Sequence, residues 1–302
     1  MKVLVTGASG FVGRRLCRFL VKKNIPIRVV LREKDIAFEE VVFCNFEKEV
    51  LSFGAFRDVE TVFHLAGCAH DINSKRNIDI YKKINTETTV KIAEMAAANQ
   101  VKSFVFVSSV KAGGSPTQGK IISETDQGEP EGIYGATKRD AELKLLDIGS
   151  QSKMQISIVR STLVYGPGLK GNLLQMHKAI AEGFFPPLPF IDNSRSLIHV
   201  DDLVKALWLV ASDERSRNQI YIATDGKSYS SREIYESICH SLGKPIPKWH
   251  IPYFMFLIPS LFSRNLRYKV KKLFQDSNYS SKKLESLGFK AEHSFRGTIK
   301  DI

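Results

Sequence analysis

Residues Thr6-Gly7-Ala8-Ser9-Gly10-Phe11-Val12-Gly13 follow the apolar run Val3-Leu4-Val5 and lead into a helix-like stretch over 11–22. Glycines allow the sharp turn and close backbone approach that a pyrophosphate needs, and the helix N-terminus that follows offers free N–H groups and a positive dipole end. Placed between a strand and a helix, the pattern reads as a dinucleotide-binding loop. Outward from it, strands predicted over 2–5, 27–31, 41–43, 61–65, 104–107 and 156–159 alternate with helices over 11–22, 84–99 and 133–146. Strands apolar throughout and separated by helices pair in parallel with both faces covered, which predicts a doubly wound α/β sheet. Beyond Gly166 the prolines Pro167, Pro186, Pro187 and Pro189 break the alternation. The expected division is a dinucleotide-binding domain over 1–165 and a smaller, mostly helical substrate lobe over 166–302, with some segments returning to the sheet.

The 302 residues carry 44 Lys and Arg against 32 Asp and Glu, a formal charge of +12, with 43% hydrophobic and 25% charged residues. That composition excludes a disordered or collagen-like chain and supports a sizeable core. The surplus of base is compatible with phosphorylated small molecules, an anionic membrane or nucleic acid. Basic residues are interleaved with acids and no recognition module is present, so no nucleic-acid partner is expected. Cys17, Cys44, Cys68 and Cys239 are scattered, which argues for a reducing compartment and against a structural zinc site, so no metal is expected. The opening MKVLVTGASG reaches glycine too early for a signal-peptide core, and a cytoplasmic location is expected. One stretch keeps a membrane in view: apolar residues 251–262, broken by Pro252 and Pro259, precede Arg264, Arg267, Lys269, Lys271 and Lys272. The preferred reading is a lid burying Phe254, Phe256, Leu257 and Phe262 against the core, ahead of peripheral contact with anionic lipid.

Roughly 20 residues after the glycine loop, an acid at the tip of the second strand would hold the ribose hydroxyls of NAD. The tip here is Val30-Leu31-Arg32-Glu33. Arg32 suits a 2′-phosphate instead, with Arg14 and Arg15 close by in sequence to Gly13, so NADP(H) is favoured; Glu33 leaves NAD(H) open. Farther on, Ser108 and Ser109 end the strand over 104–107, and Tyr134 and Lys138 lie one helical turn apart in Ile133-Tyr134-Gly135-Ala136-Thr137-Lys138. A tyrosine is a poor base at neutral pH unless a cation favours its phenolate, and Lys138 is placed to do so. With Ser109 hydrogen-bonding a substrate oxygen, these groups form a candidate hydride-transfer site on an alcohol or ketone.

Together the glycine loop, Phe63-His64-Leu65-Ala66-Gly67, Ser109, YGATK, Val164-Tyr165-Gly166-Pro167-Gly168, RSLIHVDD over 195–202 and Leu287-Gly288-Phe289 resemble an extended short-chain dehydrogenase/reductase of the sugar-nucleotide epimerase, dehydratase and reductase branch. The resemblance implies a Rossmann-type fold and a UDP-sugar substrate. It implies Tyr134 as general acid/base, Lys138 as its cationic partner and Ser109 as polariser of the substrate oxygen, with Ser108 as the alternative. For the cofactor it implies contacts from Gly7, Ser9, Gly10, Phe11, Val12, Gly13, Arg14, Arg32, Asn45, Phe46, Leu65, Ala66, Gly67 and Asn85, together with Tyr134 and Lys138. Asn172, Arg195 and Arg267 fall where the sugar diphosphate would be held, and His199 is assigned to packing. Homodimers through helices such as 84–99 and 133–146 are usual among the proteins it resembles. Val110 and Lys111 replace the acid pair that dehydratases carry after the catalytic Ser, which leaves a 4-ketoreductase or a 4-epimerase. Arg32 favours the reductase, and the wording of 108–114 and 164–172 resembles the bacterial branch that forms UDP-N-acetylquinovosamine for surface polysaccharides.

Overall fold

Val3, Leu4 and Val5 are fully buried because strand β1 (Lys2–Thr6) runs through the middle of a sheet covered on both faces. The computed structural model describes residues 1–33, 38–69, 75–114 and 117–298. With β2 (Ile27–Leu31), β3 (Glu40–Phe43), β4 (Val59–His64), β5 (Ser103–Ser109), β6 (Gln155–Ser161) and, later in the chain, β9 (Gln219–Ala223), the strand order is β3-β2-β1-β4-β5-β6-β9, parallel throughout. The order reverses between β1 and β4, and the crevice at their carboxyl ends is where such sheets bind ligands. The Rossmann-type expectation is met.

Alternation along each strand divides the core in two. Val3, Val5 and Phe63 face helices α1 (Phe11–Lys22) and α6 (Val200–Ser212) through Leu16, Leu20, Leu203 and Leu207. Leu4, Val62 and Phe104 face the other layer, where Ile92 and Ala96 of α3 (Thr89–Ala98) and Ala141 and Leu145 of α4 (Gly132–Gln151) are buried. The helix expected over 84–99 begins earlier, with α2 (Lys75–Tyr81), and passes through a π-helical turn, Lys82–Thr88, before α3. That wider turn directs the polar side chains of Asn85, Thr86 and Thr88 into the interior, a use of π turns that apolar periodicity does not reveal.

Past residue 165 the chain alternates between lobe and core. Strands β7 (Leu163–Tyr165), β8 (Arg195–His199) and β10 (Ser228–Tyr229) form a small second sheet, two of whose strands are only three and two residues long. Over it pack α5 (Asn172–Ala181) and α7 (Ser231–Ser241), enclosing Tyr165, Leu173, Tyr229, Ile238 and Phe295. The segment 251–262 departs from its expected role. It is helical, α8 (Tyr253–Phe262), with Pro252 at the N-cap and Pro259 inside, and is followed by α9 (Arg264–Phe274). Phe256 packs on Phe274, but Phe254, Leu257 and Phe262 are exposed, so the expected lid does not bury them.

His64 pins the centre of the sheet. Its Nδ1 meets Thr6 Oγ1 at 2.8 Å and its Nε2 meets Thr89 Oγ1 at 2.9 Å, joining β4 to β1 and to α3. Burial, with the Lys138 ammonium adding to it, pushes the pKa of His64 from 6.5 down to about 3. As pH falls below 6.5 the unfolded chain binds a proton here that the folded chain refuses until about 3. This one residue therefore removes about 1.4 kcal/mol of stability per pH unit at the steepest part of that window. In urea unfolding at stepped pH, His64→Gln will be less stable than wild type at pH 7 and will lose less stability between neutral pH and pH 4.

Candidate active site

The glycine loop has the shape its sequence suggests. Gly7 adopts a left-handed φ of +71°, and a Cβ there would lie 2.7 Å from the Ala66 nitrogen. A Cβ on Gly13 would lie 2.1 Å from the Gly7 carbonyl oxygen, so only glycine lets α1 start this close to the loop. Helix α1 begins at Gly10 with no side-chain cap and no acid in its first turn, which leaves its N-terminus suited to an anion. Thr6 Oγ1 accepts the Ala66 N–H at 3.3 Å and so holds the next segment, 65–69, beside the loop. These features fit the pyrophosphate of a dinucleotide, with Ser9 on the turn and Phe11 and Val12 opening α1.

Asn85 clamps the same segment from below. Its Oδ1 accepts the Cys68 N–H at 2.8 Å, while its Nδ2 donates to Cys68 O and to Thr137 Oγ1, both at 3.1 Å. The amide is spent on protein, so Asn85 positions 65–69 and acts on a cofactor through it. Gly67 is the close approach: a Cβ there would lie 3.1 Å from Asn85 Oδ1 and 3.2 Å from Lys138 Nζ. Leu65 and Ala66 pack partly into the two cores. The side chain of Phe46 is buried in the core, which leaves its backbone for an adenine contact. Asn45 Oδ1 accepts the Glu47 N–H at 3.0 Å and shapes the turn after β3.

At the ribose end, Arg32 is exposed just beyond β2, and Arg14 is exposed in the first turn of α1 with its Nε donating to Ser9 O at 3.0 Å. Arg15, read in sequence as a helper, is committed elsewhere: it forms a two-bond ion pair with Asp201, one bond at 2.7 Å, that ties α1 to α6.

Alternation along β5 separates the two serines. Ser108 is buried and donates to Glu142 Oε1 at 2.5 Å, so it is no alternative to Ser109. Ser109, half-buried at the strand end, accepts the Lys111 N–H at 3.4 Å. The turn after it returns to the start of α4: Glu131 N–H donates to Lys111 O at 2.9 Å, and a Cβ on Gly135 would touch that carbonyl at 2.5 Å. Tyr134 is thereby brought against Lys111, whose ammonium lies 5.6 Å from the ring centroid. One turn below, Lys138 is buried, donates to Val107 O at 3.0 Å and sits 4.3 Å from the Phe106 ring centroid. Burial pushes its pKa down to about 8, against the upward pull of Glu142.

Glu142 and Arg160 were not foreseen. They form a buried bidentate pair, Nη2–Oε2 2.6 Å and Nε–Oε1 3.0 Å, beneath the ends of β5 and β6. Glu142 stands four residues after Lys138, a spacing that was legible; Arg160, inside an apolar strand, was the stronger signal that a buried acid must exist.

In the lobe, Asn172 is the exposed first residue of α5, after Gly171 at φ +77°. Arg195 is partly buried; it pairs with neither Asp201 nor Asp202 but donates through Nη1 to Lys272 O at 3.0 Å, and its Nε has no partner among the described residues. Burial lowers its pKa, opposed by the charge of Glu131 at the head of α4. Arg267 is exposed on α9. His199 packs on Tyr165 and His293, and its Nδ1 accepts the Asp201 N–H at 3.3 Å as the cap of α6. His199, Asp201 and His293 lie close enough to share an ion, a grouping the scattered sequence positions hide; Asp201 is already taken by Arg15.

A glycine cradle at the switch point of a parallel sheet, with a Tyr and a buried Lys one turn apart, is the arrangement of a nicotinamide-dinucleotide-dependent enzyme. The chain belongs to the NAD dependent epimerase/dehydratase family, whose model matches residues 3–223. It is 31% identical over 264 residues to a UDP-glucose 4-epimerase of Vibrio cholerae, covering 83% of this chain and 78% of that one. It is 28% identical over 222 residues to a UDP-2-acetamido-2,6-beta-L-arabino-hexul-4-ose reductase of Pseudomonas aeruginosa, 72% of this chain and 51% of that one. The solved structure of MoeE5 in complex with UDP-glucose and NAD superposes with a TM-score of 0.81 at 22% identity, over 100% and 97% of the two chains.

Glu142→Ala would leave the Arg160 charge buried and unpaired, at a cost of roughly 3–5 kcal/mol, and Glu142→Leu with Arg160→Met would recover most of it. Urea unfolding of the three proteins checks this.

Proposed function

We propose that the chain reduces the 4-keto group of a UDP-4-keto-6-deoxy-N-acetylhexosamine with NADPH, supplying a precursor for a surface polysaccharide. The observation that carries the reading is Arg32, exposed where an acid would hold a ribose, with Arg14 exposed on the neighbouring α1 turn. Two cations there suit a 2′-phosphate, and Glu33 beside them would repel it less than it would be outweighed. A bound nicotinamide dinucleotide supplies the hydride. Tyr134 gives its proton to the C4 oxygen, which Ser109 Oγ–H holds in place. The Lys138 ammonium, fixed on Val107 O, favours the phenolate left behind, and Lys111 over the ring adds a second cation. Val110 is buried and Lys111 is basic, so the acid pair needed to expel a 6-hydroxyl is missing. Asn172 and the Nε side of Arg195 are the groups proposed to meet the sugar diphosphate.

A second reading, 4-epimerisation with tightly held NAD, is favoured by the similarity to the Vibrio cholerae protein. Purified protein incubated with UDP-glucose, UDP-N-acetylglucosamine and the 4-keto sugar, with and without NADPH, separates the two. NADPH oxidation with the 4-keto sugar is expected; epimerisation without added cofactor and without NADPH oxidation would sink the reductase reading. Arg32→Asp should lower NADPH affinity by about tenfold or more while sparing NADH. Tyr134→Phe should lower kcat by roughly 10²–10⁴. The Lys138 charge is lost as pH rises through about 8, so kcat/KM should fall above that pH and stay level just below it.

A further inference from the structure

Residues 243–275 contain seven Lys and Arg and no Asp or Glu, in a chain whose charges are otherwise interleaved. Within them, α8 is apolar on both sides. Its inner side is used: Tyr253 and Phe256 meet the Phe274 ring with centroids at 5.1 and 5.2 Å. Its outer side carries Phe254, Ile258, Leu261 and Phe262, spaced i, i+4, i+7 and i+8 and so on one stripe, with exposures of 62%, 52%, 68% and 86%. Trp249, before the helix, is 63% exposed. Singly exposed apolar residues are ordinary, but a contiguous stripe is a contact surface.

We infer that the α8–α9 hairpin docks on an anionic lipid bilayer. The charge decides the occupant. Lys269 and Lys271 on the exposed part of α9, and Lys248 before α8, are unopposed by any acid in the segment, so the apolar stripe is edged by one sign of charge. A second copy of the hairpin would bring cation against cation, whereas an acidic headgroup layer accepts both features together. A ten-residue helix is about 15 Å long, half the roughly 30 Å hydrocarbon layer, so α8 lies in the interface and does not cross. No helix among the described residues is long and apolar enough to span a membrane. The hairpin also touches the proposed substrate site: the carbonyls of Lys272 and Leu273, ending α9, receive Arg195 at 3.0 and 3.4 Å. Docking would hold the substrate cleft close to the lipid surface. The inference stands whichever reaction at C4 the chain performs.

The test is co-sedimentation of the full chain with vesicles of phosphatidylcholine alone and of phosphatidylcholine mixed with phosphatidylglycerol, at low and high salt. Pelleting with the mixed vesicles at low salt is expected, falling by about tenfold or more in neutral vesicles or at high salt. Phe262→Asp and, separately, Lys269→Glu with Lys271→Glu should each reduce pelleting by a similar factor while NADPH binding and the thermal transition stay unchanged. Wild-type protein that stays in the supernatant with anionic vesicles at low salt overturns the inference, as do variants that pellet like wild type. Light scattering closes the remaining route: a dimer that Phe262→Asp converts to monomer, without vesicle binding by either, assigns the stripe to a second copy and overturns the lipid assignment.

Discussion

A lysine ammonium held in a dry interior organises this molecule. Lys138 rests on the Val107 carbonyl and the Phe106 ring, beneath Gly67, where a Cβ would lie 3.2 Å from its Nζ. Burying such a charge is costly unless nearby groups compensate it. Glu142 supplies the compensating field, and Arg160 in turn neutralises Glu142. Burial depresses the Lys138 pKa to about 8 against the upward pull of Glu142, so the ammonium persists at neutral pH. His64, beside it, stays neutral because the same ammonium and the same burial forbid a second charge.

From that constraint the rest of the cleft follows. Asn85 holds 65–69 at the height that Gly67 requires, and it can do so because a π-helical turn swings its side chain inward. The glycine loop lies against the same segment through the Gly7 and Ala66 contact, so the cradle and the buried Lys138 ammonium share one backbone arrangement at the β1/β4 crevice. Around it, Arg15 with Asp201 ties α1 to α6, His199 caps α6, and Asp202 accepts the backbone N–H groups of Glu292 and His293 from the end of the chain.

The parallel sheet, the glycine loop and the Tyr134/Lys138 turn were legible because each is local: short runs apolar throughout, a run of glycines, a spacing of four. What was not legible depends on contacts between distant stretches. Arg15 reads as a phosphate ligand until Asp201, 186 residues away, is seen to hold it. Ser108 and Ser109 are indistinguishable until the register of β5 on β6 sets Ser108 opposite Arg160 and turns it inward. That the Phe46 side chain belongs to the core, leaving its backbone for a ligand, is likewise set by packing. The apolar stretch 251–262 illustrates the reverse error: hydrophobicity suggested a buried lid, and the helix instead uses one face and leaves the other to solvent.

The central claim is that a hydride is delivered to C4 of a nucleotide-bound sugar while Tyr134 handles the proton on the oxygen. It is tested most directly by running the reaction with NADPH deuterated at the transferred position and locating the label in the product by NMR. The account predicts one deuterium at C4 of the sugar and none elsewhere, with no label entering C4 from solvent. A C4 hydrogen drawn from water, or a label at any other carbon, would contradict it.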